Sequence, residues 1–298
     1  MTDITLLDGS IGQEIVKRSG DRATPLWSTS VMMDKPDVVG AIHLDYFRVG
    51  ATIATANTYA VHVDRLARVG LESQHLHLLD VAMDQAARAR DSHGSGRIAV
   101  SLGPLRASYR PDIEVPLDEA AAAFARIVAH TGLRADLFIV ETAASLHQVR
   151  GALLGCAGTS KPVWLSVTVD DDDGTRLRSG ENTADLALLV SEFDPAAVLI
   201  NCSRPEAIAA GLDILKTFGK PFGAYANGFT RISDEFLKDA PTVDALERRT
   251  DLGPAEYAAF AMTWVAQGAT IVGGCCEVGP AHIAELARQL RAAGHTIT

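Results

Sequence analysis

Cysteine is scarce. Four in 298 residues cannot build the disulfide framework of a small secreted fold, so each cysteine needs its own account. Positive charge is scarce too. Only 27 Lys and Arg stand against 37 Asp and Glu, a formal charge of −10. That balance argues against nucleic acid or an anionic membrane as partner, since both need a basic surface. No run approaches the roughly 20 apolar residues that cross a bilayer. Residues 1–5 show no basic stretch leading into an apolar one. No signal peptide is therefore expected, and a cytoplasmic location is. A Gly-x-Gly-x-x-Gly turn after the first apolar run is missing, and the Gly9 and Gly12 spacing does not supply it. This weighs against an open doubly wound nucleotide-binding sheet. No linker divides the chain.

What is present is an alternation. Short β-rich runs fall at residues 4–7, 51–56, 97–102, 136–140, 162–169, 197–201, 221–226 and 269–272. Helical patterns follow them near 38–48, 73–90, 116–131, 145–154, from 182 to 193, 205–218, 254–267 and 280–292. Leu76, Leu79, Met83 and Ala87 recur at three- and four-residue steps, the spacing of one helix face. Asp118 and Glu119 suit a helix start, Ser145 a helix N-cap, and Pro205 a first turn, where the missing N–H costs nothing. Eight strand–helix units predict one (β/α)8 TIM barrel over residues 1–298. The 229–253 connection is expected to be an inserted active-site loop, and 170–182 a polar loop.

In such barrels the site forms where the strands end. Asp8 follows strand one, Asn57 strand two, and Glu141 and Thr142 strand four. Asn201 and Cys202 follow strand six, Tyr225 and Asn227 strand seven, and Cys275 and Cys276 strand eight. Three thiolates suit one zinc ion, which prefers sulfur and nitrogen in tetrahedral geometry. Three protein ligands leave a fourth position open, the catalytic pattern. Thiolate-bound zinc is a modest Lewis acid, better suited to holding a substrate thiol as thiolate than to activating water. The plain alternative is a buried core cysteine and a chance pair.

The motifs Asp8-Gly9-x-x-Gly12, Glu141-Thr142 with Ser145-Leu146, Asn201-Cys202, and Gly273-Gly274-Cys275-Cys276 with Pro280-x-His282-Ile283 occur in that order along the chain. Together they resemble the homocysteine S-methyltransferase family. The resemblance implies a zinc-dependent barrel that transfers a methyl group to homocysteine sulfur, giving methionine. It implies Cys202, Cys275 and Cys276 as zinc ligands, and Asp8 and Glu141 as partners of the homocysteine ammonium group. Thr142, Asn57 and Asn227 are further candidates for substrate contact. Asn201, Gly273 and Gly274 are expected to support the ligands from behind. The donor expected first is a sulfonium, S-methylmethionine or S-adenosylmethionine. Betaine or a separate corrinoid protein is the alternative, and a non-catalytic zinc- or thiol-binding barrel is the alternative of another class. Three departures from the family pattern stand out: Ser10, Ala226, and Glu277-Val278-Gly279 after the double cysteine.

Trp27, Phe47, Tyr59, Tyr225 and Phe229 are aromatic candidates for packing on a cationic donor. Cys156 is expected to be structural. Asp170-Asp171-Asp172-Asp173 lacks the oxygen spacing of an EF-hand and is expected to be a solvated loop. His62, His75, His77, His130, His147 and His295 show no ligand-like pairing, and His282 is expected to fix a loop.

Overall fold

Period-two alternation sorts the strand residues into two apolar populations. Ile53, Ala99, Leu137, Ile139, Trp164, Ala197, Leu199 and Ile271 point to one side and pack with each other. Their neighbours Ala54, Ile98, Val100, Phe138, Val140, Leu165, Val198 and Ile200 point to the other and pack against helices. One face of every strand thus fills a common interior, and the other carries a helical layer. A sheet with both faces apolar must be covered on both, and closing it on itself achieves that.

That is the architecture of the computed structural model, which describes residues 2–20, 26, 28–233, 236–237 and 246–298. The strands are β1 (Asp3–Leu6), β2 (Ile53–Ala56), β3 (Arg97–Leu102), β4 (Leu137–Ala143), β5 (Val163–Val167), β6 (Ala197–Asn201), β7 (Phe222–Tyr225), β8 (Ile271–Val272) and β9 (Thr296–Ile297). They form one sheet in the order β2-β3-β4-β5-β6-β7-β8-β1-β9, with parallel pairing throughout. The ring closes where Leu7 bridges Ile53 and where Thr52 N–H donates to the Leu6 carbonyl at 2.8 Å. β9 pairs with the opening residues of β1, Asp3 and Ile4. The expected barrel is the observed one.

The outer helices are α3 (Pro36–Val49), α5 (His75–His93), α6 (Leu117–Thr131), α7 (Leu146–Cys156), α8 (Leu186–Phe193), α9 (Pro205–Leu215), α10 (Pro254–Gln267) and α11 (Pro280–Ala292). Ser145 caps α7, its hydroxyl accepting from Gln148 N–H at 3.2 Å. Of the face read from the sequence, Leu79 and Met83 of α5 are buried and Leu76 and Ala87 half-buried; the buried stripe runs through Leu78, Leu79, Ala82, Met83, Ala86 and Ala89. Fully burying a Leu, Ile or Val side chain contributes about 1.5–3 kcal/mol. No helix among the described residues is long and apolar enough to cross a membrane.

The structure adds elements that the strand–helix reading left out: α1 (Ile11–Ser19), α2 (Ser28–Asp34), α4 (Val63–Ala67) and β9. α1 begins inside the Asp8–Gly12 motif, with Ile11 and Ile15 buried one turn apart. Glu141 and Thr142 lie within β4 rather than after it. The register of β4 against β5 shifts between Val140 and Ala143, a β-bulge that lengthens the strand and re-aims its side chains.

Candidate active site and metal centre

The inward parity that fills the barrel with Ala99, Leu137, Leu199 and Ile271 continues to the strand ends with polar residues. Thr55, Ser101, Glu141, Ser166, Asn201 and Tyr225 share the interior face. Below them the interior is apolar; at their level it becomes a cavity of about 110 Å³. Asp8, Asn57, Tyr59, Glu141, Thr142, Tyr225, Cys202, Cys275 and Cys276 all line it, together with Ser10, Gln13 and Ser28.

Cys202, Cys275 and Cys276 present sulfur atoms within 4.8 Å of one another, and Cys202 Sγ lies 3.5 Å from Cys276 Sγ. Thiolates at tetrahedral corners about 2.3 Å from zinc are about 3.8 Å apart, so the donor set matches one soft cation. All four cysteines are free thiols. Burial works to raise Cys202, but hydrogen bonds from Cys275, Cys276 and Tyr109 outweigh it and hold this thiol well below its ordinary range. Burial, then the bonds to Cys202, push Cys275 up. Cys276 is raised first by its bond to Cys202.

Tight backbone contacts fix the double cysteine. Gly274 N–H donates to the Asp8 carbonyl at 2.9 Å, Cys275 N–H to the Ala226 carbonyl at 2.9 Å, and Gly228 N–H to the Cys276 carbonyl at 2.8 Å. A Cβ on Gly273 would lie 2.5 Å from Leu7 Cβ, and one on Gly274 2.2 Å from Val278 Cγ1. Both glycines are required by close approach. Asn227 lies behind the cavity wall, its amide donating to the Cys202 carbonyl at 2.8 Å and accepting from Phe229 N–H at 3.2 Å. It organises the Cys202 turn, and the cavity is lined by other residues.

Thr142, Cys202, Glu277 and Tyr109 all sit at positive φ, +60°, +50°, +64° and +59°. For a β-branched residue such as Thr142 this is a genuine outlier, and such strain gathers at functional sites. Asn201, fully buried, holds it there. Its carbonyl accepts from Thr142 N–H and from Ser166 Oγ, and its amide donates to Thr142 Oγ1, each at 2.8 Å.

The two carboxylates are held by neutral donors. Asp8 accepts from Thr55 N–H at 2.6 Å and from the Thr55 hydroxyl at 2.7 Å. Glu141 accepts from Tyr225 OH at 2.9 Å and from the Ser101 hydroxyl. Burial raises Asp8 to about 7 against the lowering effect of Thr55, with the nearby charge of Glu141 adding to the rise. Burial likewise raises Glu141 to about 7 against Ser101 and Tyr225. Each carboxylate has lone pairs left for a cationic group.

Of the aromatic candidates, Tyr59 and Tyr225 line the cavity. The Arg65 guanidinium lies 5.6 Å over the Tyr59 ring, so a cation already covers that ring. Phe47 is in the core, stacked on His93, and Phe229 packs beside Cys202 away from the cavity. Trp27 lies outside the described residues. Asn57 accepts from Ser28 Oγ at 2.6 Å and faces the cavity. Cys156 is buried at the end of α7 and pushed up to about 12 by burial. His282 accepts from Gly279 N–H at 3.2 Å and bonds the Leu252 carbonyl at 3.3 Å. The acidic run departs from expectation at Asp171, which is buried and paired with Arg178 at 2.7 Å.

Thr55, Ser101, Ser166 and Tyr109 carry site geometry that the sequence reading left out. The first three could have been found by continuing the inward parity of each strand by one more pair. No local signal marks Tyr109.

The homocysteine S-methyltransferase family model matches residues 5–290. The homocysteine S-methyltransferase of Escherichia coli (strain K12) is 32% identical over 95% of this chain and 94% of its own length. Homocysteine S-methyltransferase YbgG of Bacillus subtilis (strain 168) is 27% identical over 97% of this chain and 95% of its own. The crystal structure of the metallated form of the E. coli homocysteine methyltransferase MmuM superposes with a TM-score of 0.81 at 27% identity, covering 97% of this chain and 96% of that one.

Proposed function

The chain belongs to the homocysteine S-methyltransferase family, and from that premise we propose that it is a zinc-dependent enzyme methylating the sulfur of homocysteine from a sulfonium donor. The observation that carries the reading is the convergence of the three sulfur atoms with two buried carboxylates around one cavity. A thiol-bearing amino acid has the matching groups, a soft sulfur at one end and an ammonium at the other.

Cys202, Cys275 and Cys276 would hold the zinc, and the bound ion would favour the thiolate form of the substrate sulfur. Metal binding needs these ligands deprotonated, so loading a divalent ion should release protons. Asp8 and Glu141 orient the substrate through its ammonium, Glu141 being steadied by Tyr225 and Ser101. The substrate sulfur attacks the donor methyl carbon in line. A carbon–sulfur bond forms, the donor's carbon–sulfur bond breaks, and its electron pair stays on the leaving sulfur. A thiolate and a sulfonium become two neutral thioethers, and Leu7, Ile11, Ala56 and Ala60 on the cavity wall keep out the water that would stabilise the separated charges. S-methylmethionine or S-adenosylmethionine is the proposed donor. Free thiols in such a site suit a reducing compartment, the cytoplasm.

The test has two parts. Wild-type protein should carry about one zinc per chain and Cys275→Ser close to none; unchanged zinc in the variant removes the ligand assignment. Homocysteine is then supplied with S-methylmethionine, S-adenosylmethionine or betaine, and methionine is measured. Methionine from betaine alone would overturn the sulfonium assignment, and none from any donor would favour a corrinoid partner or a binding role.

A further inference from the structure

Tyr109 reaches the sulfur cluster from outside the strand ends. It lies between β3 and α6, is buried, and has φ +59°. Its hydroxyl donates to Cys202 Sγ at 2.9 Å. Its ring stands in the wall between the sulfur-lined cavity and an outer rim cavity of about 360 Å³.

The ring is held from several directions. The Arg178 guanidinium lies over it, 5.1 Å from the centroid. Arg178 is itself fixed, donating to Asp171 at 2.7 Å and to Thr168 Oγ1 at 2.9 Å. The second oxygen of Asp171 accepts from Ile232 N–H at 2.9 Å. Phe236 meets the ring edge-on at 5.8 Å, within an apolar cluster that includes Phe229, Ile232 and Leu246. A phenylalanine would serve that apolar cluster equally well. What remains for the hydroxyl is Cys202.

We propose that Tyr109 is a positioning residue for the metal centre: its hydroxyl fixes the Cys202 sulfur and tempers that sulfur's electron donation to the bound ion. The inference rests on the zinc reading above. Three thiolates and one divalent cation leave a net negative charge in a buried site. An O–H dipole aimed at one sulfur stabilises that charge. It lowers the energy of the sulfur lone pair, so Cys202 donates less and the ion stays more acidic toward the substrate sulfur. Hydrogen-bond partners of metal ligands typically alter metal affinity 10–100-fold. Arg178 and Asp171 carry the effect one step outward, since they set where the ring lies.

The experiment compares wild type with Tyr109→Phe, each loaded with zinc and, separately, with cobalt(II). Zinc transfer to a chromophoric chelator should be about 10–100-fold faster in the variant. The sulfur is no longer fixed there and the buried negative charge loses the dipole that stabilises it, which outweighs the stronger donation of Cys202. The sulfur-to-cobalt charge-transfer band should move to longer wavelength, because the Cys202 lone pair is no longer stabilised. Packing alone would not move that band. Should Tyr109→Phe fail to fold, 3-fluorotyrosine placed at position 109 keeps the ring and strengthens the donor, and the band should move to shorter wavelength. An unmoved band together with unchanged zinc release overturns the proposal while leaving the zinc reading intact. A wild-type protein that takes up neither ion overturns both.

Discussion

The Asn201 carboxamide clasps Thr142 at both its backbone N–H and its hydroxyl, each bond 2.8 Å long. The clasp holds a threonine at φ +60° on the wall of the sulfur-lined cavity. The residue before Cys202 thereby fixes the residue after Glu141.

Asn201→Ala should therefore act on stability and substrate binding together. The variant leaves Thr142 N–H and Ser166 Oγ without their buried partner, at about 1–3 kcal/mol for each unsatisfied group. Urea unfolding should show a loss of about 2–6 kcal/mol. Relaxation of Thr142 toward negative φ should raise the KM for homocysteine more than it lowers kcat. An unchanged urea midpoint would show that the clasp is idle.

The carboxylates predict a pH signature. Asp8 rises from 3.8 to about 7 on burial, so the folded state binds a proton that the unfolded state has released. That contribution is fully present below about pH 4 and is lost as pH rises through about 7. Glu141 acts in the same sense, from 4.5 to about 7. Urea midpoints of the metal-free, substrate-free protein should fall between pH 5.5 and 8, and Asp8→Asn should flatten that fall. Homocysteine, whose ammonium favours ionised carboxylates, should bind more tightly over the same rise in pH. Parallel wild-type and Asp8→Asn profiles would refute the assignment.

Two departures from the family pattern turn out to be in contact through Gln13. Its carbonyl accepts from Ser10 Oγ at 2.8 Å and from Glu277 N–H at 2.6 Å, and its amide donates to Glu277 Oε1 at 2.6 Å. Glu277 also pairs with Arg248 at 3.2 Å. A double-mutant cycle on Gln13→Ala and Glu277→Ala should give a coupling energy of about 0.5–3 kcal/mol. Additive effects would mean that the two side chains act independently. Since Gln13 lines the cavity, the donor KM should respond to Gln13→Ala while zinc content does not.

Asp171 and Arg178 form an ion pair with side chains only 6% and 10% exposed. Removing one partner strands a buried charge, which costs about 3–5 kcal/mol. Asp171→Ala should lose stability on that scale by denaturant titration, whereas the exposed pair partner Asp173 should give under about 1 kcal/mol when replaced. Equal effects at the two positions would contradict the burial argument.

Much of this was legible in the chain. The barrel follows from eight apolar runs, each trailed by a helical pattern. The sulfur set follows from where Cys202, Cys275 and Cys276 fall relative to those runs. Thr142 was readable as a site residue but its conformation was not, because the bulge in β4 arises from pairing with a strand about twenty residues on. Asp171 was hidden inside a run of four aspartates whose members differ only in what packs over them. Tyr109 was invisible because its contact to Cys202 spans 93 positions and no periodicity places it.

The closure of the ring has its own consequence. Between β1 and β2 the described backbone offers little more than the Leu7–Ile53 bridge. Beyond it the join is carried by Asp8, whose carboxylate takes the place of a main-chain carbonyl and receives Thr55 N–H. The barrel is thus latched at its cavity end by a side chain that also lines the cavity and that the proposed reading assigns to the substrate ammonium. Whatever engages Asp8 draws on the same oxygen atoms that keep the first and second strands together. The amide of Thr55 should therefore report occupancy of the cavity through its rate of hydrogen exchange.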